Sequence, residues 1–167
     1  SPPGRGKSCF GCQVLMHNSM NHGIPTVFFS LEMSQEDIGQ RATTALLGIS
    51  EDETFKHPKE TEAVIRQRLK QGLSISYVDE SMHLSQIEKR IEYYVNNCGV
   101  KIVAIDYLQL VRGDSDSEYQ NITEASKALK QIAKTYKVAI LLLCQVKQDC
   151  YSKIEFEQNH LKNTSQI

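Results

Sequence analysis

Ser1-Pro2-Pro3-Gly4-Arg5-Gly6-Lys7-Ser8 has the form of a phosphate-binding loop. Glycines at these spacings let successive backbone N–H groups curl around an anionic phosphate with no Cβ in the way. Lys7 then supplies a point charge to the β- and γ-phosphates, and the Ser8 hydroxyl offers a ligand to Mg²⁺. Ser1 stands where the pattern has its first glycine. The Gly6-Lys7-Ser8 core is intact, and an apolar helical run with Phe10, Val14 and Leu15 follows it. The competing reading is a Gly/Pro turn that ends in Lys-Ser by chance, and it has to be weighed against the rest of the chain.

Beyond the loop, helical and extended patterns alternate. Helices are expected over 7–21, 34–47, 59–69, 85–97 and 122–136, and strands over 26–31, 73–78, 101–106 and 138–144. Ser34 and Ser85 are expected caps, residues 51–58 an expected loop, and 112–120 a polar loop. Mostly apolar strands separated by helices imply a parallel sheet with helices on both faces, an α/β fold. The strand that feeds such a loop has no counterpart before Ser1. Residues 1–167 are therefore expected to form a partial domain that lacks its first and last strands.

Bulk properties narrow the function classes. A length of 167 residues suits one domain with a substantial core, and 40% hydrophobic with 23% charged residues is ordinary globular composition. The formal net charge of −1 excludes a global pull toward nucleic acid or anionic lipid, so any polyanion contact must be local. No apolar run is long enough to span a bilayer. Of the five cysteines, Cys9 and Cys12 share a helix face, but no second Cys or His pair at ligand spacing accompanies them. Small buried residues in a reducing cytosol explain them better than zinc or redox chemistry. His17 and His22 read as surface residues.

Ligands of a parallel α/β sheet collect at the C-terminal ends of its strands. The first strand here runs into Glu32, the third ends at Asp106 after four apolar residues, and the fourth runs into Gln145. Asp106 suits Mg²⁺, which takes hard oxygen ligands and keeps several waters. Glu32 suits a general base that polarises an attacking water, and Gln145 offers an amide to the γ-phosphate. Asp79-Glu80, after the second strand, reads as an ordinary acidic turn. Each of these residues taken alone has a bland reading as a turn, cap or solvated side chain. Behind a Gly-Lys-Ser loop, coincidence explains them poorly.

The same residues carry a family resemblance. Ser30-Leu31-Glu32-Met33-Ser34 resembles the SLEMS motif of DnaB-like replicative DNA helicases, and Ile105-Asp106-Tyr107-Leu108-Gln109-Leu110 resembles their IDYLQL motif. Leu143-Cys144-Gln145-Val146 is similar to their SQL strand end, with Cys144 in place of serine. The stretch 161–167 is loosely similar to a DLRESGAI element. The resemblance implies a RecA-like P-loop NTPase core whose cofactors are ATP and Mg²⁺. It implies a cytoplasmic helicase that forms a homo-hexameric ring, moves 5′→3′ on single-stranded DNA, and has primase and a helicase loader as partners.

Carried over by position, the resemblance places nucleotide binding at Ser1, Pro2, Pro3, Gly4, Arg5, Gly6, Lys7, Ser8 and Cys9. Arg41 would lie against the adenine base. Glu32, Lys7 and Gln145 would be catalytic, and Ser8 and Asp106 would hold the metal. Lys162, Asn163 and Ser165 would face DNA, although the family usually has arginine, glutamate and glycine there. The loop with Asp114, Asp116 and Glu118 is acidic and ill suited to a polyanion. Two other readings remain open at this stage: a RecA/RadA- or KaiC-like ATPase, and a degenerate, non-unwinding assembly module.

Overall fold

Four short strands rich in Val, Ile, Phe and Leu form one parallel sheet. The structure, a computed structural model, describes residues 6–70, 72–80, 82–113, 115 and 117–145. The strands are β1 (Thr26–Ser30), β2 (Ile75–Val78), β3 (Ile102–Asp106) and β4 (Ala139–Leu143), in the order β2-β1-β3-β4. In register, Thr26 pairs with Ile75 and with Ile102, Ser30 with Asp106, and Asp106 with Leu143. The helices are α1 (Lys7–His22), α2 (Gln35–Leu47), α3 (Glu51–Lys56), α4 (Pro58–Lys70), α5 (Leu84–Cys98) and α6 (Glu118–Tyr136).

Strand side chains alternate between two cores. Val27, Phe29, Val103 and Ile105 pack with Ile87 and Ile91 of α5 and with Ile122, Leu129 and Ile132 of α6. Phe28 and Ala104 point to the other face, against Cys12, Leu15 and Met16 of α1 and Ile38 and Ala42 of α2. Both faces are covered, which is why β1 and β3 read as nearly continuous apolar runs.

This topology fixes where a ligand can sit. From β1 the chain proceeds through α2–α4 to β2 on one side, and from β3 through α6 to β4 on the other. The C-terminal ends of β1 and β3 therefore flank the crevice where the winding direction reverses. At that level Leu31 N donates to Asp106 O at 2.8 Å, so the two strand ends stay joined as they leave the sheet.

Gly11 sets how closely α1 lies on the sheet. A Cβ there would come within 2.9 Å of the Phe28 ring and 3.1 Å of a Leu143 methyl. Phe28 is fully buried and has no free space to retreat into. Gly11→Val is accordingly expected to destabilise the protein by about 1–3 kcal/mol despite removing a helical glycine. Chemical denaturation measures this, and an unchanged midpoint would show that α1 is not held by this contact.

Several element boundaries differ from the sequence expectation. Residues 51–56, expected as loop, form α3, because the Ser50 hydroxyl accepts from Glu53 N at 3.3 Å and caps a helix too short to show a periodic stripe. Pro58 then starts α4, since proline fits a first helical position but cannot continue a helix. The cap of α5 is His83 rather than Ser85: Ser85 N donates to His83 Nδ1 at 3.3 Å, and His83 N donates to Gln86 Oε1 at 2.9 Å. Helix α6 begins at Glu118, four residues before the expected start, with Ser117 as its cap.

Candidate active site

The N-terminus of α1 points to the crevice. Gly6 precedes it with φ 81°, a left-handed conformation that favours glycine, and no side chain among the described residues caps this end. The first N–H groups of a helix have no intrahelical partner and carry the positive end of its dipole, which is how helices bind phosphate. In the first turn, Ser8 is 6% exposed and its hydroxyl donates to Asp106 Oδ2.

Asp106 is 1% exposed, and its other oxygen, Oδ1, has no hydrogen-bond partner among the described residues. A buried carboxylate oxygen left unmatched is costly unless something cationic reaches it. A divalent cation ligated by Ser8 and adjoining Asp106 fits this donor set. Among the described residues no three His, Cys, Asp or Glu side chains cluster, so such an ion would keep most of its ligands as water or phosphate oxygen, as Mg²⁺ does.

Glu32 is presented by a tight turn after β1. The Ser30 hydroxyl donates to Met33 O at 2.8 Å and accepts from Met33 N at 3.2 Å, which closes the turn over Leu31 and Glu32. The turn is then locked to α2, where Ser34 caps by accepting from Asp37 N at 3.2 Å. Glu32 itself is exposed to solvent.

Tyr107 ties the parts together. The Lys7 ammonium lies 5.9 Å from the centroid of its ring, within cation–π range. Burial, and after it the charges of Glu32, Asp106 and Glu118, hold the phenol above its ordinary pKa. Lys7 thus lies over this ring, and the charges of Glu32 and Asp106 reach it. Cys12 shows the same convergence from below. Its thiol is pushed up to about 12, chiefly by burial, then by Cys9 and Asp106, with Arg41 of α2 acting the other way. Such a thiol stays protonated at neutral pH, in keeping with a packing role.

On the far side, Gln145 lies two residues beyond β4 and is 7% exposed. It joins the Asp106 side through Gln109, whose carboxamide donates to Gln145 O at 3.1 Å and accepts from Gln145 N at 3.3 Å. Lys7 also reaches this end electrostatically: burial raises the Cys144 thiol and the Lys7 charge opposes that rise.

The structure therefore joins Ser8 to Asp106 and sets Lys7 over the neighbouring Tyr107 ring, with Glu32 on the turn after β1, Gln145 tied to the exit of β3 through Gln109, and Cys9 in the first turn of α1. Arg41 is exposed on α2 and connects to the others only through its charge on Cys12. Ser1, Pro2, Pro3, Gly4 and Arg5, and the DNA-facing candidates Lys162, Asn163 and Ser165, lie outside the described residues. Glu80 forms a 3.6 Å ion pair with Arg90, as an ordinary acidic turn would. Tyr107 and Gln109 have no role assigned by the sequence beyond their place in the 105–110 motif, because an aromatic and an amide inside an apolar run carry no periodic signal of their own.

A family profile described as DnaB-like helicase C terminal domain matches residues 1–161. The chain belongs to this family. Among curated relatives, the replicative DNA helicase DnaB of Leifsonia xyli subsp. xyli is 32% identical over 153 residues, covering 86% of this chain and 33% of the relative. That of Synechocystis sp. is 27% identical, covering 90% of this chain and 18% of the relative. The chain thus spans a third or less of the length of these relatives.

A solved structure of a DnaB-like replicative helicase and its interactions with primase aligns with a TM-score of 0.82 at 21% identity, over 99% of this chain and 42% of that one. A second solved structure, of an ATPase domain, aligns with a TM-score of 0.80 at 21% identity, over 98% of this chain and 62% of that one. These two likenesses establish the fold as the RecA-like core of DnaB-type domains. No described helix is long and apolar enough to cross a membrane.

Proposed function

We propose that this DnaB-like domain is the ATP-hydrolysing motor of a replicative DNA helicase, acting on single-stranded DNA as part of a homo-hexameric ring. The observation that carries the reading is the pairing of Ser8 with Asp106 at the uncapped end of α1, with Asp106 Oδ1 left over. Backbone N–H groups at the start of α1 receive the phosphates, with Ser1 to Cys9 as the proposed nucleotide-binding stretch, and Lys7 balances the charge of the β- and γ-phosphates. Ser8 and Asp106 would hold Mg²⁺, which when bound would supply positive charge to offset that of the phosphates. Glu32 orients the attacking water and takes its proton. Gln145 contacts the γ-phosphate and passes its presence or absence to the residues that follow. Arg41 lies against the base, where a planar guanidinium is suited to stacking.

Lys162, Asn163 and Ser165 contact DNA phosphates in this scheme, and travel is 5′→3′. Primase and a helicase loader are the proposed protein partners, and the cytoplasm the proposed location. In the full-length protein, ATP hydrolysis is expected to rise on adding single-stranded DNA, and electron microscopy with nucleotide is expected to show closed six-membered rings. Open filaments instead of rings, with DNA-stimulated hydrolysis intact, would point to a recombinase-like polymer and overturn the helicase assignment.

A further inference from the structure

Parallel pairing between β3 and β4 ends at Asp106 and Leu143. Past Asp106 the backbone of β3 leaves the sheet and winds into a single 3₁₀ turn, Leu108–Leu110. Gln145, two residues further along the β4 side, has no neighbouring strand among the described residues to meet its backbone N–H and C=O. It is nonetheless buried, and buried main-chain polar groups have to be matched. The match comes from one side chain. Gln109 Nε2 donates to Gln145 O at 3.1 Å and Gln145 N donates to Gln109 Oε1 at 3.3 Å, across 36 residues of sequence. A carboxamide presents a donor and an acceptor side by side, as the N–H and C=O of one residue do along a strand edge, so Gln109 meets both main-chain groups of Gln145 where no described strand does. Only one orientation of the amide satisfies both contacts at once.

We propose that Gln109 is a positioning residue for the nucleotide site: it clamps the backbone of Gln145 to the exit of the Asp106 strand, so that the two ends move as one unit. The inference rests on the proposed motor reading, in which Gln145 meets the γ-phosphate. Asp106 and Gln109 are three residues apart, on the same exit from β3. A shift at Asp106 on nucleotide loading therefore reaches Gln145 through two hydrogen bonds rather than through a flexible loop. The candidate DNA-facing residues follow Gln145 in the sequence. Gln109 touches neither nucleotide nor metal in this scheme.

The test uses the full-length protein with ATP, Mg²⁺ and an oligothymidylate single strand. Gln109→Leu keeps the volume and removes both hydrogen bonds. Its DNA-stimulated kcat is expected to fall roughly tenfold, while KM for ATP moves less than about twofold. Simple destabilisation would lower the thermal midpoint and the active fraction, so kcat is expressed per nucleotide-binding site counted by titration. Gln109→Glu supplies a second readout. Ionised, its carboxylate faces the Gln145 carbonyl and cannot donate; protonated, the carboxylic acid restores one donor and one acceptor. The turnover of Gln109→Glu relative to the unsubstituted protein is therefore expected to climb as pH falls from about 8 to about 5.5. Faster hydrogen exchange at the Gln145 amide in Gln109→Leu is the third expected result. Unchanged kcat in Gln109→Leu, or a flat pH ratio in Gln109→Glu, would overturn the proposal. Failure of the motor reading looks different: the unsubstituted protein itself would show no stimulation by DNA, and the proposal would fall with it.

Discussion

Glu32→Gln is expected to lower ATP turnover by about 10²–10⁴-fold while leaving affinity for Mg²⁺ and ATP within a few-fold. The substitution preserves size and shape, and the turn that presents the side chain is built from Ser30 and Met33, so the backbone should not move. What is lost is the ability to accept a proton and to orient a water by negative charge. Glu32 is exposed and its side chain caps no helix among the described residues, so stability should change little. Its charge is felt at Tyr107, the residue that follows Asp106 at the end of β3. Phosphate release and titration with a fluorescent nucleotide separate the two effects. Unchanged hydrolysis in Glu32→Gln would remove this residue from the mechanism.

Asp106→Asn is expected to move stability and function in opposite directions. Without nucleotide, Asp106 is a buried carboxylate with one oxygen on Ser8 and the other unmatched among the described residues. Removing that charge should raise folding stability by about 1–2 kcal/mol, since an uncompensated buried charge opposes folding. The same change removes the anionic partner of Mg²⁺, so hydrolysis should be lost and the thermal shift on adding ATP with Mg²⁺ should shrink towards that seen without metal. Thermal unfolding with and without the ligands reads both. A fall in stability without nucleotide would mean that Asp106 is a structural hydrogen-bonding residue and not a site held open for a cation.

The candidate site residues are legible in the sequence because their signals are local. Gly6-Lys7-Ser8 announces itself by spacing, and Asp106 by ending a run of apolar strand residues. Glu32 lies in a short motif that pairs a strand end with the Ser34 cap. The alternation of helix and strand implied the parallel sheet and both covered faces. What escaped was whatever depends on contacts distant in sequence or on caps without a periodic helix behind them. Helix α3 rests on Ser50 and is stopped before Pro58, with no apolar stripe to betray it. His83 caps α5 through a ring nitrogen, a less common acceptor than the serine two residues later. The joining of Gln109 to Gln145 and of Lys7 to Tyr107 exists only because β1, β3 and β4 end at one level of the sheet. No property of either glutamine alone implies that pairing.

The most direct measurement is a structure of the full-length protein with Mg²⁺ and a slowly hydrolysed ATP analogue. The expected result has the metal ligated by Ser8 Oγ with Asp106 beside it, and the γ-phosphate within reach of Lys7, Glu32 and Gln145. A nucleotide bound elsewhere, with Ser8 still donating to Asp106 and no metal between them, would contradict the assignment of this crevice as the triphosphate site.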